Sequence, residues 1–207
     1  MSAKLSLLIC TINDRIQGVP DLLLPQQADV CYVVSFQFTA AQFLEMVPTI
    51  LKERTDVTVL PISGIGLSYN RNNALRHCTT ELALIVDDDA RYTPRQLKAV
   101  VHYFSTHPEV DIACFQAVDR VGTPIKAYAS APFDYPHRPS GCYFSSCEMA
   151  LRTDAPLPAF DPRFGLGAGY LSCGEEEVFL HQAHRLGARI CYEPQVVCSI
   201  PSGPTTG

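Results

Sequence analysis

With 207 residues, 47% of them hydrophobic and only 18% charged, the chain can bury one large core and falls outside the composition of disordered segments and highly charged tails. A net charge of -5 leaves no general basic surface to neutralise phosphates in bulk, so nucleic acid is not the expected partner. A small anionic ligand held by a few arginines or a metal remains compatible with that charge.

No apolar run approaches the roughly 18 residues of a membrane span. As a signal peptide the N-terminus fails too, because its short apolar stretch meets Asn13, Asp14 and Arg15 rather than small residues at a cleavage site. A cytoplasmic protein is the expectation. Of nine cysteines, Cys10, Cys31, Cys114, Cys191 and Cys198 sit inside apolar β-like runs, where Cys acts as a small hydrophobe. No C-x-x-C pair occurs, and Cys142 with Cys147 lacks a second pair or a nearby His pattern to complete a zinc site. Structural thiols are expected.

In chain order, Leu5 to Thr11 is a continuous apolar run that suits a strand buried on both faces, and Val30 to Phe36 is a second, after a Pro-bounded connection. Ala40 to Arg54 has helical spacing that Pro48 should break. Val57 to Pro61 reads as a third strand, Ser68 to Cys78 as a helix, and Leu82 to Val86 as a fourth strand running into Asp87, Asp88 and Asp89. Thr93 caps a helix from Pro94, with Leu97, Val100, Val101 and Phe104 on one face, and a strand from Asp111 to Ala117 follows. Strands alternating with helices predict an α/β fold with a mostly parallel sheet, whose ligands bind beyond the carboxyl ends of the strands. In the second half, Tyr128 to Pro139 is loop-like, Cys142 to Arg152 reads as a strand, and Pro156 to Tyr170 is rich in Pro and Gly. Glu175 to Leu186 reads as a helix, with Ile190 to Tyr192 and Val196 to Ile200 as closing strands.

Three consecutive aspartates repel one another, so placing them after a buried strand calls for a compensating gain. A hard divalent cation bridged to substrate phosphates supplies one, with Asp87 and Asp89 on one side of an extended segment and Asp88 on the other. An acidic turn or a helix N-cap accounts for the same residues. Glu175 to Glu177 likewise suit a helix N-terminus, and Arg71 suits an ion pair holding its helix to the aspartate strand.

Order and spacing add to these readings. Gly66, Ser68, Arg71, Asn72 and Ala74 fall on a G-x-S-x-x-R-N-x-A pattern ahead of a strand ending in D-x-D. Phe160-Asp161-x-Arg163-Phe164-Gly165-Leu166-Gly167 then precedes Gly174-Glu175-Glu176, a helix, Gly187 and a Tyr192-x-Pro194 step. From Leu5 to about Ser202 this resembles the family 2 inverting nucleotide-sugar glycosyltransferases, which have the GT-A fold. The resemblance implies one Rossmann-like glycosyltransferase domain over residues 1–207, with a nucleotide-sugar-binding half (1–120) and an acceptor-side half (121–207). It implies transfer of a sugar to a hydroxyl of a glycan or lipid-linked saccharide, as in polysaccharide biosynthesis. Mn2+ or Mg2+ would be held by Asp89 and Asp87. Glu176 would be the general base, with Glu175 the second choice. Thr11, Asn13, Ser35, Gln37, Arg71, Asn72, Asp87 and Asp88 would form the donor-binding set. Peripheral association with the inner face of the membrane is compatible with such acceptors.

The sequence also departs from the family. Val33-Val34-Ser35-Phe36-Gln37 stands where members end the second strand in base-recognising Asp residues, so Ser35 or Gln37 is left to meet the base. Ile12 replaces an aromatic in a T-Y-N segment, and Ser199, Ile200 and Pro201 stand near an expected histidine. His181 and His184 are expected in a surface or packing role rather than as metal ligands, and Tyr128, Phe133, Tyr135 and Tyr143 are candidate sugar-stacking groups, although aromatics at such positions more often serve core or loop packing. Members often continue past the tail from Ser202 to Gly207, so the chain is expected to be minimal or truncated. A nucleotidyltransferase, or a non-catalytic sugar-nucleotide or glycan-binding protein of the same fold, is the alternative to a glycosyltransferase.

Overall fold

The computed structural model describes residues 4–201; the tail from Ser202 to Gly207 lies outside the described residues. Eight strands form one mixed sheet: β1 (Leu5–Ile12), β2 (Val30–Phe38), β3 (Val57–Ser63), β4 (Leu82–Asp87), β5 (Ile112–Asp119), β6 (Phe133–Asp134), β7 (Met149–Arg152) and β8 (Ile190–Ile200). Their order is β3-β2-β1-β4-β7-β5-β8-β6. β1 to β4 pair in parallel, as do β5 and β8, whereas β7 runs antiparallel to both β4 and β5 and β6 antiparallel to β8. The α-helices are α1 (Thr49–Glu53), α2 (Leu67–Arg76), α3 (Pro94–Thr106) and α4 (Glu175–Arg185).

The apolar runs of the central strands follow from helices and loops covering both faces. Leu5, Leu7 and Ile9 of β1 join a core with Leu97, Val100 and Phe104 of α3, while Leu8 and Cys10 join one with Ala74 of α2 and Phe179, Leu180 and Ala183 of α4. α3 begins as its sequence predicts: Thr93 accepts from the Gln96 backbone, Gln96 answers with its side chain, and Pro94 fills the first turn, where no N–H partner is needed.

Register sets the site. Cys10 of β1 lies level with Ser35 of β2 and Asp87 of β4, so the carboxyl ends of the three strands finish together. From β1 the chain order runs one way to β2 and β3 and the other way to β4, and the gap between β1 and β4 is therefore the switch point where ligands bind in such sheets.

Several expected elements differ in the structure. Only Met149–Arg152 of the expected Cys142–Arg152 strand pairs, because Ser146–Glu148 forms a 3-10 turn closed by a Ser145/Glu148 capping box. The two closing strands are one, β8, whose register against β5 shifts between Cys114 and Ala117; Pro194, unable to donate, lies in that irregular stretch. The connection after β1 holds a 3-10 helix, Asn13–Leu22, and the region from Tyr128 to Pro139 contains β6 and a short 3-10 turn, Tyr135–His137. Pro48 does break the helical spacing of Ala40 to Arg54, into a 3-10 helix (Ala41–Met46) and α1. Cys10, Cys114, Cys147, Cys191 and Cys198 are buried, Cys31 is partly buried and Cys173 is exposed.

Candidate functional site

Arg71, only 3% exposed, joins the two acidic clusters. It projects from α2 beneath the end of β4, where Nη1 donates to Glu175 Oε1 at 2.8 Å and Glu176 Oε1 at 3.1 Å, and Nη2 to Asp87 Oδ1 at 3.3 Å. Its guanidinium also lies 5.5 Å from the centroid of the Phe160 ring, which stacks on Phe179. Thus 104 positions of sequence separation close into one ion-pair network. Burial takes charge from water at a cost that only several partners offset.

Gly174, left-handed with φ 89°, turns the chain into α4 so that all three glutamates fall in its first turn, where the helix dipole favours negative charge. Glu175 is buried, and Glu177 leaves the network to pair with Arg138 at 2.7 Å. Glu176 is the more open of the two Arg71 partners, its side chain 16% exposed against 6% for Glu175. Burial pushes the Glu176 carboxyl above the usual carboxylate range, Arg71 opposes this, and Glu175 adds to it.

The three aspartates have three different surroundings. Asp87 accepts from Arg71 and from Ser146 Oγ, which lies 3.1 Å from both its oxygens. Asp88 turns the other way, accepting from Thr11 Oγ1 at 2.8 Å and pairing through both oxygens with Arg15. Asp89 forms no hydrogen bond or ion pair with another residue's side chain among the described residues, and burial, then Asp87 and Asp88, push its carboxyl above the ordinary range. Burial likewise pushes the Cys10 thiol, close to Arg71 and Asp87, up to about 12, so it is protonated near neutral pH and is no nucleophile there.

The remaining expected donor residues divide by the bonds they already make. Asn72 spends its amide on the Phe160 backbone, donating to the carbonyl and accepting from the N–H, both at 2.7 Å. Ser35 is fully buried and accepts from Asn73 Nδ2 at 2.8 Å. Asn13, at φ 52°, accepts from the Thr39 backbone and hydroxyl. Gln37 differs, since it is 2% exposed and its Nε2 has no partner. A buried orphan acceptor also occurs on α2: Asn70 Oδ1, whose own Nδ2 donates to the Thr11 carbonyl.

Sequence reasoning missed Ser146, because its contacts are 59 and 75 positions away and a serine inside an expected strand carries no signal. It also missed Arg15, although an arginine just past a strand end beside three aspartates was a readable hint. The stacking candidates are mostly engaged in packing: Phe133 on Tyr192, Tyr135 between Arg138 and His184, and Tyr128 on Glu148, with Tyr143 55% exposed. His181 and His184 are exposed on α4.

Among the described residues no three His, Cys, Asp or Glu side chains are grouped to hold a metal. Asp89, without a side-chain partner, and Asp87, 35% exposed, have the oxygen chemistry that a hard cation requires.

The family model for glycosyl transferase family 2 matches residues 39–156, more than half of the chain and including α2, the aspartates and Ser146. The chain belongs to this family. Among solved structures, Staphylococcus aureus TarS 1-349 superposes with a TM-score of 0.65 at 19% identity, covering 96% of this chain and 60% of that one. TarS 1-349 in complex with UDP gives 0.65 at 17%, covering 97% and 61%, and in complex with UDP-GlcNAc 0.63 at 18%, covering 98% and 60%. This family 2 chain therefore has the fold of these TarS structures and spans about 60% of their length. No curated protein matches its sequence. Among the described residues no helix is long and apolar enough to cross a membrane.

Proposed function

We propose that the chain transfers a sugar, with inversion, from a nucleotide-sugar to a hydroxyl of a glycan or lipid-linked saccharide. The observation that carries this reading is Arg71, which holds the aspartate turn and the glutamate turn in one network. An inverting transfer needs a carboxylate base on the face of the sugar opposite the leaving group, and the link that Arg71 makes between Glu176 and Asp87 supports that reading.

In this reading Glu176 takes the proton of the acceptor hydroxyl as its oxygen attacks the anomeric carbon. Its proton affinity, raised first by burial, moves in the direction a general base needs. Glu175 and Arg71 fix the orientation of Glu176. Asp89 and Asp87 would hold Mn2+ or Mg2+, which when bound neutralises charge on the departing diphosphate. Gln37 offers its unpaired amide to the nucleobase, and Asp87 faces the ribose. Ser35, Asn72 and Asp88 support the walls of the donor site, through Asn73, Phe160 and Arg15 respectively. The TarS complexes make UDP-GlcNAc the first donor to try and UDP the first nucleotide for binding.

The test is a donor panel with Mn2+ comparing wild type, Asp89→Ala and Glu176→Gln. Asp89→Ala should lose metal-dependent nucleotide binding, and Glu176→Gln should bind donor but transfer slowly. Undiminished transfer by both variants would reject these roles.

A further inference from the structure

A second buried charged cluster lies in the acceptor-side half. Glu148 is fully buried. Its carboxylate accepts from Lys126 Nζ at 2.7 Å, from the Ser145 backbone N–H at 2.8 Å and from the Tyr128 hydroxyl. Lys126 also donates to Ser145 Oγ at 3.2 Å and sits 4.3 Å over the Tyr143 ring. The Tyr128 hydroxyl accepts from the Ala117 N–H of β5 at 2.9 Å.

Replacing such a buried ion pair by apolar residues of equal volume is often neutral or stabilising, so stability alone is a poor account of this one. What the cluster does achieve is geometric. It pins the Ser145–Glu148 turn to β5, and that turn carries Ser146. Ser146 is itself buried, accepts from Arg71 Nη2 at 2.6 Å and faces both oxygens of Asp87.

We propose that Glu148, braced by Lys126 and Tyr128, is a positioning residue for the transfer site: it sets where Ser146 stands and, through Ser146, how the Asp87 carboxylate is aimed. The inference rests on the reading above that Asp87 faces the donor. The effect passes through one hydroxyl, that of Ser146.

The experiment is a double-mutant cycle on donor binding. UDP with Mn2+ is titrated by calorimetry into wild type, Tyr128→Phe, Ser146→Ala and the double variant, alongside kcat, KM and thermal unfolding. Tyr128→Phe removes only the oxygen that links the Ala117 N–H to Glu148, and it keeps the ring and the Lys126 pair. Each single variant should weaken UDP binding by about three- to thirtyfold, and the double should be no weaker than Ser146→Ala, because contacts in series couple. Ser146→Thr, which keeps the hydroxyl, should recover part of the affinity. Losses that multiply, or lowered melting with UDP affinity and kcat unchanged, would overturn the proposal while leaving the transfer reading intact. A wild type that binds neither UDP nor any other nucleoside diphosphate with Mn2+ would overturn both.

Discussion

Replacing Arg71 with Met removes the cation from three carboxylates while keeping much of the volume. Arg71 and Glu175 have side chains only 3% and 6% exposed, so the Glu175 charge is left buried with no partner. Breaking a buried pair from one side costs about 3–5 kcal/mol. Glu176 and Asp87 add less, being more open at 16% and 35% and better screened by water. With a urea m value of about 2 kcal/mol/M, the unfolding midpoint should fall by about 2 M. Adding Glu175→Met removes the stranded charge and should return much of the loss. The assay is urea denaturation of the three proteins without nucleotide or metal. A loss below about 1 kcal/mol, as for an exposed ion pair, or a double variant weaker than the single one, would refute the claim that Arg71 holds a desolvated network.

Three further outcomes are expected. A base works only when deprotonated, and burial raises the proton affinity of Glu176, so kcat/KM should fall as pH drops through a value above the usual carboxylate range. Glu176→Gln should lower the rate about 10²–10⁴-fold and abolish that limb of the pH–rate profile. Asn72→Ala leaves the buried Phe160 N–H and carbonyl without their side-chain partner, at about 1–3 kcal/mol each, which denaturant titration will show. Gly167→Ala places a Cβ 2.5 Å from Ile65 Cγ2 and 3.2 Å from the Gly66 backbone nitrogen at φ 78°; the exposed Ile65 can give way but the Gly66 backbone cannot readily, so the cost should be no less than the ~1–2 kcal/mol of a left-handed non-glycine residue, readable as a lowered melting temperature.

The central strands were legible because burial on both faces writes itself as unbroken apolar runs, as in Leu5–Ile12 and Leu82–Asp87. The capped start of α3 was legible because its signals are local, within Thr93 to Gln96. The Cys142–Arg152 segment misled because Phe144, Cys147 and Met149 are all buried, yet the Ser145/Glu148 capping box turns the chain before it can pair. Within the site, residue types showed which groups were acidic but not who partners them. That Asp88 leaves for Arg15 while Asp87 joins Arg71 depends on 3-10 and helical segments 73 and 16 positions away. The inward use of Ser35 and Asn72 was hidden for the same reason, since an amide that clamps a backbone and one that faces a ligand read alike in sequence.

The place of β7 has a consequence for synthesis. β4 and β5 are complete once residue 119 is made, but the strand that joins them is Met149–Arg152. Until then a chain growing on the ribosome carries two strand edges with nothing between them, and the first four strands cannot be joined to the rest of the sheet. Unpaired edges invite pairing with other chains. The sheet therefore closes late, at β7 and then at β8 (Ile190–Ile200) on the other edge of β5, and aggregation during expression should depend on how quickly residues 120 to 200 emerge.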